Sequence, residues 1–199
     1  MGLEAAYRST DQVFSVRSIL SRGVDAPGVT RHASGIPDGD FWAWLLQAQY
    51  AYRLPWFDLE FVARGDLQLA DQPLLPLEQF AMGGHGTVNG YRENTLVRDN
   101  GVVGSIALRR FFNLPTKYLG FLAIGPFFDV GHGWNRARAW ETSRSAETIY
   151  SVGVSAHLRA LDHLDLMVSY GYALTDTSRP RDWDLQDAGV QFNVVLTFP

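Results

Sequence analysis

The side chains best placed to do chemistry crowd into Phe80–Asn100, FAMGGHGTVNGYRENTLVRDN. There Arg92, Glu93, Arg98 and Asp99 stand among Gly83, Gly84, Gly86 and Gly90. Glycine at that density lets a backbone bend sharply, and fixed charges can hold the bent chain in place through charge-assisted hydrogen bonds. The residues do not assemble a reaction centre. Gly84-His85-Gly86 with Gly90 misses the G-x-G-x-x-G spacing by one place and leads into a strand, not a helix, which argues against a dinucleotide site. The five histidines (His32, His85, His132, His157, His163) lack metal-ligand spacing such as H-E-x-x-H, and no G-x-S-x-G elbow is present. Cysteine is absent, which removes disulfides, thiolate ligands and thiol nucleophiles. Glu60, Asp66 and Arg64 share one polar strand face and read as alternating charge along the wall of a lumen rather than as catalytic groups. The expectation is a protein with no catalytic residue, no cofactor and no metal, in which the loop itself is the device. A loop of this length in a compact domain is more often functional than passive.

Composition narrows the partners. A net charge of −4 argues against nucleic acid, whose phosphates require clustered Lys and Arg. No run of about 18 apolar residues occurs, so no helix can span a membrane. That leaves spanning by strands open. Residues 1–25 show no signal-peptide pattern. The 46% hydrophobic content fits a soluble protein, and equally a membrane barrel in which one face of each strand is apolar.

The elements that must position the loop are strands. Over Thr148–Arg159, Tyr150, Val152, Val154, Ala156 and Leu158 alternate with Ser151, Gly153, Ser155, His157 and Arg159. Leu164–Thr175 repeats the pattern, as does the final strand, where Val190, Phe192, Val194, Leu196 and Phe198 oppose Gln191, Asn193 and Thr197, with Val195 out of phase. Phe41–Leu54, Phe57–Leu69, Val102–Phe112 and Leu119–Val130 are further strands. Gln12–Arg22 and Leu3–Arg8 bring the expected number to about nine. Connections alternate: Leu54–Trp56, Asn113–Tyr118 and Leu161–His163 are tight, whereas 24–40, 70–101, 135–147 and 176–187 are long and polar. Short turns at one end and long loops at the other mark an outer-membrane barrel. Trp42, Trp44, Trp56, Tyr118 and Tyr172 near strand ends suit its aromatic girdles. The alternative is a soluble β-sandwich or barrel that buries the apolar faces and binds a small ligand inside.

The loop GGHGTVNGYRENTLVRDNG resembles that of the outer-membrane transporter superfamily of two-partner secretion transporters (haemolysin secretion/activation proteins) and barrel-assembly insertases (the bacterial surface antigen family). In the secretion branch it reads G-G-x-x-S/T-V-R-G-Y/F and often continues R-E-N-x-L-V-R-D-N-G. Gly83, Gly84, Thr87, Val88, Gly90 and Tyr91 match, as do Arg92-Glu93-Asn94 and Leu96 to Gly101. A second family motif, F-x-D-x-G, stands at Phe127, Asp129 and Gly131. The resemblance implies an all-β fold: an antiparallel transmembrane barrel of about sixteen strands, of which residues 1–199 supply the C-terminal part, with the loop folded into the lumen. It implies an outer-membrane location, contact with lipid, and translocation of a secreted client protein or insertion of proteins into the membrane. It also implies delivery by the barrel-assembly machinery, which reads a C-terminal strand here spanning Gly189 to Phe198. The signal peptide and the POTRA domains of the family are expected to be absent from this chain.

By the same resemblance, the loop residues Gly83, Gly84, Thr87, Val88, Asn89, Gly90, Tyr91 and Arg92 latch to a wall site formed by Phe127, Asp129 and Gly131. Family members set an arginine of the loop against the wall aspartate. Here Asn89 takes that position, and Arg92 or Arg98 is the candidate substitute. The loss of the arginine and the small number of strands keep a passive porin-like or inactive remnant open as a second reading. Arg136, Arg138 and Arg144, interleaved with Trp134 and Trp140, are read as a solvated loop, with a lipopolysaccharide-facing surface loop as the alternative.

Overall fold

The computed structural model describes residues 1–23, 39–55, 57–114, 116, 118–136, 146–161, 163–177 and 184–197. Among the described residues eleven strands form: β1 (Gly2–Arg8), β2 (Gln12–Arg22), β3 (Trp42–Leu54), β4 (Leu59–Ala70), β5 (Phe80–Met82), β6 (Leu96–Arg98), β7 (Asn100–Asn113), β8 (Leu119–Trp134), β9 (Ala146–Ala160), β10 (Leu164–Ala173) and β11 (Val190–Leu196). Nine make one antiparallel sheet in the order β1-β2-β3-β4-β7-β8-β9-β10-β11, and β5 and β6 pair separately as a small ribbon. The ribbon lies within the glycine-rich segment, which the sequence reading treats as a plain loop. Its three-residue strands are too short to show alternation.

Several boundaries shift for local reasons. β4 starts at Leu59 rather than Phe57 because Asp58 sits in a turn at φ 49°. β8 runs on to Trp134, since Gly131 and Gly133 continue the ladder opposite Val103 and Gly101. β11 ends at Leu196, and Phe198 and Pro199 lie outside the described residues, as do Trp56, Arg138, Trp140 and Arg144. Val195 pairs with Asp165 and so stands as the apolar exception on the polar face.

The register carries one apolar row across the sheet. Ala63, Ile106, Phe128, Val152 and Tyr172 are successive partners on β4, β7, β8, β9 and β10. Ile106, Phe128, Val152 and Tyr172 of this row are exposed, and so are Leu108, Ile124, Val154, Tyr170, Phe192 and Val194. A sandwich would cover these side chains with a second sheet; here, among the described residues, nothing covers them. The buried apolar cluster is instead Met82, Val88, Tyr91, Leu96, Val103 and Ile149, where the ribbon and its tip pack on the opposite, inner face. A second cluster, Phe41, Ala43, Ala70 and Leu74, closes the same face near the start of β3. The sheet therefore buries its inner wall against its own loop. Met82 and Val88 are fully buried, which stabilises the seated loop by about 1.5–3 kcal/mol for each side chain. β1 and β11 lie at the two ends of the strand order.

Candidate functional site: a loop seated on the inner wall

Asp129 lies in the middle of β8, points inward, and is fully buried. Its neighbours in register are Ser105 on β7 and Ser151 on β9, small residues that leave room for the loop. Ser105 Oγ donates to Asp129 Oδ1 at 2.6 Å. The loop supplies the rest: Asn89 donates to Asp129 Oδ2 from its backbone N–H (3.0 Å) and from Nδ2 (2.7 Å). The Asn89 side-chain oxygen Oδ1 in turn accepts from Ser169 Oγ on β10 at 3.2 Å. Three donors thus converge on one buried carboxylate, and hydrogen bonds to an ionised group are stronger than neutral ones.

Glycine decides how closely the tip can approach. Gly90 has φ +85°, a conformation that other residues adopt at a cost. A Cβ there would fall 2.7 Å from the Gly171 backbone, and one on Gly171 would fall 2.6 Å from the Gly90 nitrogen. Two backbones touch at this point without side chains between them. Gly131, of the wall motif, lies under Val88, where a Cβ would meet Val88 Cγ2 at 2.9 Å. Phe127 is buried, and its ring covers Gly153 on β9.

The flanks of the tip are fastened separately. Thr87 Oγ1 accepts the Gly83 N–H at 3.0 Å and closes the turn. The Glu93 carboxylate occupies the space beside Gly84 and accepts the His85 N–H at 2.7 Å. Tyr91 places its hydroxyl 2.8 Å from the Tyr150 carbonyl, to which it donates, and accepts the Thr175 N–H at 3.1 Å. Gln191 Nε2 donates to the Tyr91 carbonyl at 2.8 Å.

Neither candidate arginine replaces Asn89. Arg92 turns away from Asp129 and pairs with Asp184 (2.9 Å) and Asp187 (3.2 Å) before β11. Arg98 pairs with Glu147 at the start of β9 (3.1 Å). Asp184 sits below the usual carboxylate range, chiefly because the Asp187 N–H bonds to it and secondarily because of Arg92. Arg64, on the inner face of β4, pairs with Asp66 at 2.7 Å and donates to the Gly86 carbonyl.

Sequence reasoning missed a second buried carboxylate. Asp99 is fully buried between β6 and β7. It accepts from Leu74 N–H (3.0 Å), Gln79 Nε2 (2.8 Å) and Arg136 N–H (2.9 Å). Arg136, read as loop charge, also donates through Nε to the Ala70 carbonyl at 2.7 Å. The root of the loop is therefore tied to the segment after β4 and to the segment after β8. Below the tip lies a cavity of 420 Å³, lined among others by Arg64, Asn89, Ser105, Arg109, Phe127 and His157. Among the described residues no three His, Cys, Asp or Glu side chains gather as metal ligands.

A profile of the family described as Haemolysin secretion/activation protein ShlB/FhaC/HecB matches residues 1–160. The chain belongs to this family. Its fold is similar to that of CdiB from Escherichia coli, with a TM-score of 0.73 at 19% identity, covering 99% of this chain and 36% of CdiB. The chain thus spans 36% of the length of that structure. Curated protein sequences give no match. The ShlB/FhaC/HecB proteins are two-partner secretion transporters, and the open nine-stranded sheet is part of an outer-membrane β-barrel of that kind. This makes the apolar face the outer one and the loop-bearing face the lumenal one. The seat of the loop extends past the matched residues, because Gly171 and Gln191 belong to β10 and β11.

Proposed function

We propose that residues 1–199 form the C-terminal part of one barrel domain, completed by strands outside this chain, and that the barrel carries a secreted partner protein across the outer membrane. The ribbon and tip, Phe80–Arg98, are the movable plug of the lumen. Asn89, Gly90 and Tyr91 are its latch, with Asp129 the wall acceptor. The observation that carries this reading is the convergence of the Asn89 backbone and side chain on the buried Asp129. The lipid contacts fall on the exposed apolar row, and the C-terminal strand is the element that barrel assembly reads.

The test is a reversible lock. The chain has no cysteine of its own, so thiols introduced at Asn89 and Asp129 can be joined by a short cleavable cross-linker in the full-length barrel. Ion conductance across a planar bilayer is then recorded before and after reduction. The plug reading expects a closed pore when linked and recovery of gating when reduced. Steady conductance unaffected by the link would support the porin-like remnant, a reading that the neutral Asn89 favours.

A further inference from the structure

The outward face is almost free of charge. Following the register from β1 to β11, the outward strand positions hold only two Lys, Arg, Asp or Glu residues among the described residues: Arg22 at the end of β2 and Arg110 in β7. Neither has an acidic partner among the described residues. Each guanidinium instead lies over an aromatic ring. Arg22 Cζ is 5.0 Å from the centre of the Trp42 ring, and Arg110 Cζ is 5.3 Å from that of Phe112. Such contacts orient a cation but do not neutralise it.

Their heights are set by the ladder. Arg22 pairs with Trp42, the first residue of the 13-residue β3. The last residue, Leu54, pairs with Leu59, which pairs with Arg110. At about 3.3 Å per residue and a tilt of about 45°, that length spans roughly 30 Å along the membrane normal. The two arginines therefore lie toward opposite ends of the strands that carry the apolar band, Arg22 at the end of the long loops, which in these barrels faces outside. Leu20, Trp44 and Leu69 beside it supply an apolar wall for acyl chains. A guanidinium with no acidic partner among the described residues, set at an apolar–water boundary, matches a phosphate, which it binds bidentately.

We infer that Arg22, oriented by Trp42, is a binding site for a phosphate group of the outer-leaflet glycolipid, lipopolysaccharide. The test uses the full-length protein in detergent with defined lipids: bisphosphoryl lipid A, its dephosphorylated form, and phosphatidylglycerol. Bound lipid is quantified by mass spectrometry after gel filtration. Wild type is expected to retain bisphosphoryl lipid A over the dephosphorylated form. Arg22→Gln should lose roughly tenfold of that retention, the scale of one charge-assisted contact, while Arg110→Gln keeps it. Equal retention by Arg22→Gln, or equal binding of the dephosphorylated form, overturns the site, and equal retention of phosphatidylglycerol overturns the choice of glycolipid. If Arg22→Gln does not fold, Arg22→Lys replaces it. That variant keeps the charge without the fork and should fall to an intermediate level, whereas wild-type retention again refutes the proposal.

Discussion

Asn89→Ala tests the latch most directly, because it leaves the wall intact. The substitution deletes the 2.7 Å bond from Nδ2 to Asp129 and the bond accepted from Ser169, and it keeps the backbone N–H bond. A hydrogen bond to a charged group contributes about 1.5–3 kcal/mol, and a neutral one about 0.5–1.5 kcal/mol. The lower limits together give about 2 kcal/mol, and each 1.36 kcal/mol is a factor of ten. The loop should therefore open at least roughly thirtyfold more often. Hydrogen exchange on the folded barrel in detergent reads this opening: peptides covering 83–93 should lose protection by that factor, while β7 amides at 102–108 stay as they were. Unchanged exchange at 83–93 would refute the latch. An equal loss in β7 would show that Asn89 serves global folding and not the loop.

Four other substitutions or conditions separate the parts of the seat. Gly171→Ala places a Cβ 2.6 Å from the Gly90 nitrogen. It should unseat the tip at a cost of about 1–3 kcal/mol without touching Asp129, seen as faster exchange at 89–91. Asp99→Asn offers one acceptor oxygen where the carboxylate serves three donors. It should destabilise the loop root by about 1–3 kcal/mol and raise exchange at 71–79 as well as 96–100, which Asn89→Ala leaves alone. Asn89→Arg can extend into the 420 Å³ cavity and offer Asp129 a charged fork. It should slow loop exchange, and faster exchange would show that the cavity does not admit the side chain. Acidification tests the outer clamp. Because Asp184 is held below its usual range in the folded chain, its contribution is present above the unfolded value and lost only as pH falls through the lower folded one. An NMR carboxyl titration should place its midpoint below that of an Asp in a peptide, and a normal midpoint would contradict the Arg92–Asp184–Asp187 arrangement.

The sheet was legible because its signal is repeated. Each strand alternates over many residues, and the polar phase of β9 or β10 alone predicts which face is lumenal. For Asp129 phase alone was not enough: it shares its face with Phe121, Ala123, Gly125 and Phe127, and only the reading of Leu122, Ile124, Phe128 and Val130 as lipid-facing, as the family resemblance implies, turned it inward. What the sequence hid depends on contacts across the lumen. Gly171 looks like any strand glycine until Gly90 is set against it, 81 positions earlier in the chain. Ser169 is an ordinary inward polar residue whose partner comes from the loop, and Ser105 is another whose partner is the wall aspartate itself. Asp99 lies in a motif dense with charge, and nothing local distinguishes the carboxylate that is buried from those that reach water. The destination of Arg92 was hidden for the same reason: its partners, Asp184 and Asp187, lie in a connection that gives no periodic signal.

The asparagine changes what opening the proposed plug costs. Separating a buried arginine–aspartate pair strands two desolvated charges, and breaking such a pair costs about 3–5 kcal/mol. With Asn89, only Asp129 is left charged, and Ser105 stays bonded to it from the wall when the loop leaves. The neutral latch therefore opens at lower cost than a charged one in the same place. The charged contacts of the loop lie away from Asp129: Arg92 with Asp184 and Asp187, Arg98 with Glu147, at sites where the arginines keep partial access to water. Ion pairs of that kind contribute little and weaken with salt. Closure must then rest mainly on the buried apolar cluster around Met82 and Val88 and on the Gly90–Gly171 contact. Raising salt should accordingly change loop exchange in the wild type only slightly, whereas in Asn89→Arg the added pair is buried and equally insensitive. A large salt effect on peptides 83–93 would mean that Arg92 and Arg98 carry the closure, and that the wall aspartate does not.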